Sequence, residues 1–435
     1  MPLNFSIVER FISDYQGIMK DKGLLRHERY KILASLRDEL QSSLQDYEAF
    51  ERELASLIID KIEKATTYEE LLQCHMRAVA GIENYFMEED TIMDIHDLFR
   101  IIRDSITVKV LKLVEEEMER DGFGSLPTDY VWIGLGSEGR DEQTFITDQD
   151  NMIIYEEKSS DSVTDALAKI YYEHAQSTGN EEGVKKPVPK KLFDFYYEVF
   201  SKKAVDRLHD VGFERCKGGV ISSNERWRGS VEDWGKRIED RLTFEQGVFE
   251  SLDVIILTDA RPIEGDRNIL DRFLKKFFNA LGDNKTVMKD FIQSAVLMPT
   301  ALSFFGNFKT EKSGDHTDQL NIKLLGWAPL ILAVRMIALS NSIYETNTLH
   351  RIRLLRKMNV IKKDMENDLI DAYLIFVRFR IMNQIRYKED GGKDTNYLKP
   401  DLLGPEEQEK LRKAMKAVEA LQKYMQEVLL FGQPI

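Results

Sequence analysis

The chain has 435 residues, 43% of them hydrophobic and 31% charged, with a formal net charge of −14. That length allows two or three domains with a large core, while the acidic balance repels a phosphate backbone and argues against a non-specific nucleic-acid binder. Two cysteines far apart, Cys74 and Cys216, exclude a disulfide framework and a cysteine zinc site.

The N-terminal stretch Met1–Phe11 has an early Glu9 and no basic flank before an apolar core, which predicts no signal peptide. From Val8 to about Val114 the pattern is helical. Leu25, Ile32, Leu33, Leu36, Leu40 and Leu44 recur mostly at three- and four-residue steps. A second stretch covers residues 47–62. A third follows Thr67 and Glu70, which have the spacing of a capping box. Residues 122–127, Gly-Phe-Gly-Ser-Leu-Pro, break the helices.

A strand is expected over 130–135 and another from about Asp150 to Glu156, with a tight polar turn between them. Helices are expected over 161–175 and 192–211. The lysine-proline run at 185–191 reads as a solvated loop. Residues 213–234 look irregular. The run Leu252–Pro262, rich in β-branched residues up to Thr258, reads as a buried strand. From Asn268 the pattern is helical again. Leu369, Tyr373, Phe376, Val377, Ile381 and Ile385 form one core stripe, and Leu411, Met415, Val418, Leu421, Met425 and Val428 form another. The apolar stretch Leu324–Leu339 is broken by Arg335 and reads as too short to cross a bilayer, so a cytoplasmic protein with no membrane association is expected.

The chemistry concentrates in Ile133-Gly-Leu-Gly-Ser-Glu-Gly-Arg140, followed by Thr147-Asp-Gln-Asp150. Side chains alternate along a strand, so Asp148 and Asp150 share a face. Paired carboxylates repel unless a cation lies between them, and hard oxygen ligands at this spacing suit a magnesium ion shared with phosphates. A turn holding Gly136 and Ser137 offers backbone N–H groups and a hydroxyl to a phosphate. The joint reading is a site for a metal-bound nucleoside triphosphate.

Gly134, Gly136 and Gly139 also match the dinucleotide fingerprint G-x-G-x-x-G. That fingerprint requires a following amphipathic helix, and residues 140–150 hold only Phe145 and Ile146 as apolar residues, so the dinucleotide reading is set aside. A third carboxylate on a neighbouring strand would complete a two-metal shell. Asp259 is the first candidate and Asp253 the second. Arg140 can grip phosphate oxygens in a bidentate manner, or pair with Asp141 or Glu142. In residues 217–228, Lys217, Asn224, Arg226 and Arg228 can contact phosphates, ribose or acceptor; equally, the segment can be a loop anchored by Trp227 and Trp234.

Gly136-Ser137 followed by Asp148-x-Asp150 is similar to the signature of the DNA-polymerase-β-type nucleotidyltransferase superfamily. The longer strings at 136–144 and 147–151 resemble the bacterial putative nucleotidyltransferases related to PII-protein uridylyltransferase and glutamine-synthetase adenylyltransferase. The resemblance extends through 216–220, 223–228, 259–266, 321–323, Arg335 and 347–351, and covers most of residues 65–430. It implies phosphate binding by Gly136 and Ser137, metal binding by Asp148, Asp150 and Asp259, and a need for magnesium and a triphosphate.

These readings predict an α+β, mostly helical fold. A small mixed β-sheet nucleotidyltransferase domain (115–267) is flanked by N-terminal helices (1–114) and a C-terminal helical bundle (268–435). Relatives often carry N-terminal regulatory modules; here only helices are expected. The predicted activity is Mg2+-dependent transfer of a nucleoside monophosphate from ATP or UTP to an acceptor hydroxyl, with a regulatory protein as one acceptor. The alternative is a nucleotide-binding regulator without turnover.

Overall fold

The computed structural model describes residues 25–89, 92–146, 148–157, 161–177, 189–242, 250–303, 306–390 and 395–427. By its internal contacts the chain divides between residues 91 and 92 into two compact units.

In the first unit, helix α1 (Arg26–Ser56) runs into a π-helical turn (Leu57–Ile62) and is followed by α2 (Tyr68–Glu89). The start of α2 is the expected capping box: Glu70 N donates to Thr67 Oγ1 at 3.2 Å, and Thr67 N donates back to Glu70 Oε2 at 3.2 Å. On α1, Leu25, Leu33 and Leu44 of the predicted stripe are exposed. The part of the predicted helix before Leu25 lies outside the described residues.

The second unit opens with α3 (Ile92–Arg120) and a four-stranded mixed sheet. Its strands are β1 (Tyr130–Gly134), β3 (Asn151–Tyr155), β5 (Arg228–Ser230) and β6 (Arg261–Gly265), in the order β5-β3-β1-β6. β1 lies antiparallel to both β3 and β6, and β5 runs parallel to β3. Every residue of β1 and β3 is buried, as near-continuous apolar strands should be. Between β1 and β3 come a single helical turn, α4 (Gly136–Gly139), and β2 (Asp148–Gln149), which pairs with β4 (Glu214–Arg215). With α4 only four residues long, the helix a dinucleotide fold needs is absent.

Helices α5 (Asp161–Ser177) and α6 (Pro189–Asp210) follow the expected spans. Most of the lysine-proline run lies outside the described residues. The Tyr155 ring at the end of β3 stacks on Tyr197 of α6 at 4.1 Å between centroids. Helix α7 (Val231–Leu242) ties down the middle of the strand, where Trp234 Nε1 donates to the Ile153 carbonyl at 3.2 Å.

One expectation is corrected here. Residues 252–259 do not form a strand. Ser251–Leu257 is a short helix, α8, and β6 begins only at Arg261. Asp253 accepts from Glu250 N at 2.8 Å and so caps the helix, and it also pairs with Arg226. Val254, Ile255 and Leu257 are buried while Leu252 is 63% exposed, a one-sided pattern that a helical turn satisfies. β-branched propensity was outweighed by the cap and by tertiary packing.

The rest of the unit is helical: α9 (Arg267–Asp283), α10 (Lys285–Val296), α11 (Ala328–Ser340, preceded by a π-helical turn at Lys323–Trp327), α12 (Thr348–Lys357), α13 (Lys363–Asp390) and α14 (Pro405–Met425). A two-residue ladder pairs Leu320 and Asn321 with Leu398 and Tyr397. The stripe from Leu369 to Ile385 is buried, as is the second stripe from Leu411 to Met425; Val428 lies outside the described residues. The segment Lys323–Ser340 has the 18 residues and hydropathy of a membrane span, so it is longer than the sequence suggested. Two thirds of it lie inside the fold, and Arg335 within it pairs with Asp259. That is the placement of a core helix.

Candidate functional site

Gln149 organises the carboxylate pair. It is buried, and its Nε2 donates to the carbonyls of Val205 and Phe213 at 3.2 and 3.1 Å. With Gln149 fixed toward α6, the period-two alternation turns Asp148 and Asp150 to the opposite side. Leu135 N donates to the Asp150 carbonyl at 2.8 Å, which draws the strand start against the α4 turn. Gly136 has φ +53°, and a Cβ built on it would lie 2.5 Å from Asp150 Oδ2. Only glycine meets both conditions. Gly136, half-buried Ser137 and the Asp148/Asp150 pair are therefore neighbours.

Burial pushes the Asp150 carboxyl up to about 6; the Cys216 thiol hydrogen bond opposes this, and the Asp148 charge adds to it. Burial and the facing Asp150 push the Cys216 thiol up to about 12. Cys216 lies on a turn pinned to the same strand: Asn151 N donates to the Val220 carbonyl at 3.1 Å, and Ser222 N to Asn151 Oδ1 at 2.9 Å. Lys217, next to Cys216 on this turn, is exposed.

The other candidates in that segment hold the loop. Asn224 accepts from Arg226 N at 3.1 Å, Arg226 pairs with Asp253, and Arg228 Nη1 donates to the carbonyls of Ser222 and Ser223. Trp227 and Trp234 are both buried beneath it.

Two buried groups beside the pair were missed in the sequence. The Arg103 guanidinium of α3 lies 3.8 Å over the Phe213 ring, is 2% exposed, and has no partner among the described residues for Nε or Nη2. Burial lowers its pKa, against the pull of Glu138, Asp104, Asp148 and Asp150. Burial likewise raises the Glu138 carboxyl to about 7, partly offset by Arg103. The available signal was an arginine among Phe99, Ile102, Ile106 and Val110, all buried on α3.

Asp259 has a different environment. It is fully buried. Arg140 Nη1 donates to its Oδ2 at 2.7 Å, Arg335 Nη2 donates to the same oxygen, and Arg351 Nη1 and Nη2 both approach Oδ1 at 3.3 Å. Arg140 also pairs with Glu142 at 2.8 Å, the salt bridge weighed against phosphate contact in the sequence. Burial opposes the Arg140 charge, but Glu142 and Asp259 more than offset it and raise its pKa. Glu142 Oε1 accepts from Thr348 N at 2.8 Å, and Asn347 Nδ2 donates to the Arg140 carbonyl at 2.9 Å. Gly139 allows the close approach, because a Cβ there would overlap the Asp259 carbonyl oxygen.

The three predicted carboxylates thus do not gather as one set. Among the described residues no three His, Cys, Asp or Glu side chains are placed to hold a metal ion. Neither strand beside β3 brings an acid: β5 offers Arg228, Gly229 and Ser230, and β1 runs from Tyr130 to Gly134 without one. Asp148 and Asp150 offer two hard oxygen donors of the type that suits magnesium, and burial with the Asp148 charge disfavours ionised Asp150 in the absence of a cation.

A family model described as “Putative nucleotidyltransferase DUF294” matches residues 77–178 and 189–246, which hold Gly136, Ser137, Arg140, Asp148, Asp150 and Lys217. A second, described as “Putative nucleotidyltransferase substrate binding domain”, matches residues 285–429, which hold Arg335, Arg351 and Arg380. Asp259 lies between the two matched regions. No curated protein matches the chain. With the carboxylate pair set over a glycine-serine turn and both models matched in order, the chain belongs to the nucleotidyltransferase family that they describe.

Proposed function

We propose that the protein transfers a nucleoside monophosphate from ATP or UTP to an acceptor hydroxyl. The hydroxyl oxygen bonds to the α-phosphorus, the bond from that phosphorus to the bridging oxygen of the β-phosphate breaks, pyrophosphate leaves, and the hydroxyl proton passes to solvent. Asp148 and Asp150 would hold magnesium, which would supply charge neutralisation for the attacking and leaving oxygens. The Gly136-Ser137 turn orients the phosphates through backbone N–H groups and the Ser137 hydroxyl. Lys217, exposed beside Cys216, steers the incoming triphosphate.

Asp259 and Arg140 take other roles in this reading. Both oxygens of Asp259 are engaged by guanidinium groups, so it orders the arginines instead of holding metal. Resemblance to PII-protein uridylyltransferase makes a regulatory protein one acceptor. A cytoplasmic location accords with a nucleotide substrate.

The observation that carries the reading is the Asp150 carboxyl facing Gly136, where a Cβ would meet its Oδ2 at 2.5 Å. The test is pyrophosphate release from each labelled nucleotide, with magnesium and cell extract, followed by mass spectrometry of labelled products. Magnesium-dependent release that vanishes in Asp148→Asn supports it; undiminished transfer in the double Asp148→Asn, Asp150→Asn variant defeats it. One observation favours a second reading, a nucleotide-binding regulator: a carboxylate set of two where three were expected. Nucleotide binding without pyrophosphate release would establish that reading.

A further inference from the structure

The buried charges behind the site do not balance. Arg140, Arg335, Arg351 and Arg380 are all at least nine-tenths buried, and each senses the charge of Glu142. The acids among them are Glu142 and Asp259. Four guanidinium groups thus face two carboxylates, an excess of two positive charges away from bulk water. Uncompensated buried charge is strongly unfavourable, so an anion is expected there.

The unpaired groups locate it. Asp259 is saturated by Arg140, Arg335 and Arg351, and Glu142 by Arg140 and the Thr348 N–H. Arg380 of α13 pairs with no carboxylate among the described residues. Its guanidinium lies 4.4 Å from the centre of the Trp327 ring, which Arg140 also approaches at 5.4 Å, and it is 9% exposed. Among the described residues, Arg380 Nε and Trp327 Nε1 are buried donors without an acceptor. The Arg380 and Trp327 donors meet at one ring, and orphaned buried donors mark a place for acceptor oxygens. Trp327 is one turn beyond Lys323, whose charge Asp150 senses together with that of Arg140, so this cluster adjoins the carboxylate pair.

We propose that Arg380 and Trp327 form a buried oxyanion site that takes a phosphate group. A phosphate near neutral pH carries about two negative charges and offers several acceptor oxygens, which match the excess charge and the free donors. The choice of phosphate rests on the nucleotidyl-transfer reading above; the need for an anion rests on the charge balance alone.

The experiment uses the full chain at low salt with EDTA, so that it does not depend on Asp148 and Asp150. Inorganic phosphate, pyrophosphate and ATP are titrated by calorimetry and thermal shift. Phosphate or pyrophosphate should raise the melting temperature of the wild type. Arg380→Met should weaken that binding at least tenfold and melt higher than wild type without anion, because an unpaired buried charge is gone. If Arg380→Met does not fold, Arg380→Lys, which keeps the charge but loses Nε and the planar fork, should bind several-fold more weakly. A parallel loss of ATP affinity assigns the phosphate to the nucleotide, whereas undiminished ATP binding assigns it to the acceptor. The proposal is overturned if neither phosphate nor pyrophosphate stabilises the wild type, or if the Arg380 variant that folds binds both unchanged.

Discussion

Arg140 donates to Asp259 at 2.7 Å across 119 residues of sequence, and this buried pair joins the α4 turn to the segment that precedes β6. Through Arg335 and Arg351 the same carboxylate reaches α11 and α12. Asp259 is thereby the point where the nucleotidyltransferase sheet and the helical bundle hold each other.

Asp259→Asn should therefore destabilise the protein by about 3–5 kcal/mol, since three buried guanidinium groups lose their counter-charge. Urea unfolding measures this. A variant as stable as wild type, with only its magnesium dependence lost, would return Asp259 to the metal-ligand role that the sequence suggested.

Asp150→Asn should act in the opposite sense. Burial and the Asp148 charge work against ionised Asp150, so the neutral amide should gain about 1–2 kcal/mol at pH 8 in the absence of metal. In wild type, magnesium should raise the melting temperature and EDTA should reverse the rise; in Asp150→Asn both responses should disappear. A magnesium response that survives in this variant contradicts the assignment of the pair.

Gly136→Ala should cost stability twice, once for a left-handed backbone and once for overlap with Asp150. Gly122→Ala is the control: its φ is +89°, yet a Cβ there meets nothing within 4 Å. Gly136→Ala should lower turnover at least tenfold and Gly122→Ala should not, which steady-state pyrophosphate release would show.

Glu138 predicts a pH signature. Burial holds its carboxyl at about 7 against an ordinary 4.5. Between those values the folded state binds more protons than the unfolded state, so this group's contribution to stability is full below about 4.5 and is lost as pH rises through 7. Glu138→Gln should match wild type near pH 5 and exceed it by about 1–3 kcal/mol at pH 8. Parallel stability curves for the two proteins across that range would refute the shift.

Much of the fold was legible because it is written in local patterns. The capping box at Thr67 and Glu70, the stripes on α13 and α14, and the buried strands β1 and β3 follow from periodicity and spacing within single segments. The glycine-serine turn and the Asp148/Asp150 alternation are local as well. Residues 251–257 were misread because a run of β-branched side chains carries strand propensity, while a carboxylate cap and one-sided burial decide for helix. Arg103 and Arg380 were not legible at all: each lies on a helix whose apolar pattern gives no sign of what its guanidinium meets.

Sequence alone determined that a carboxylate pair stands beside a phosphate-compatible turn within a mostly helical chain, because alternation and turn chemistry act over a few residues. Tertiary structure alone decided the partners of Arg140, Asp259, Arg335, Arg351 and Arg380, which come from distant segments. The physical reason is that a buried charge is governed by whatever surrounds it after packing, and spacing along the chain carries no record of that.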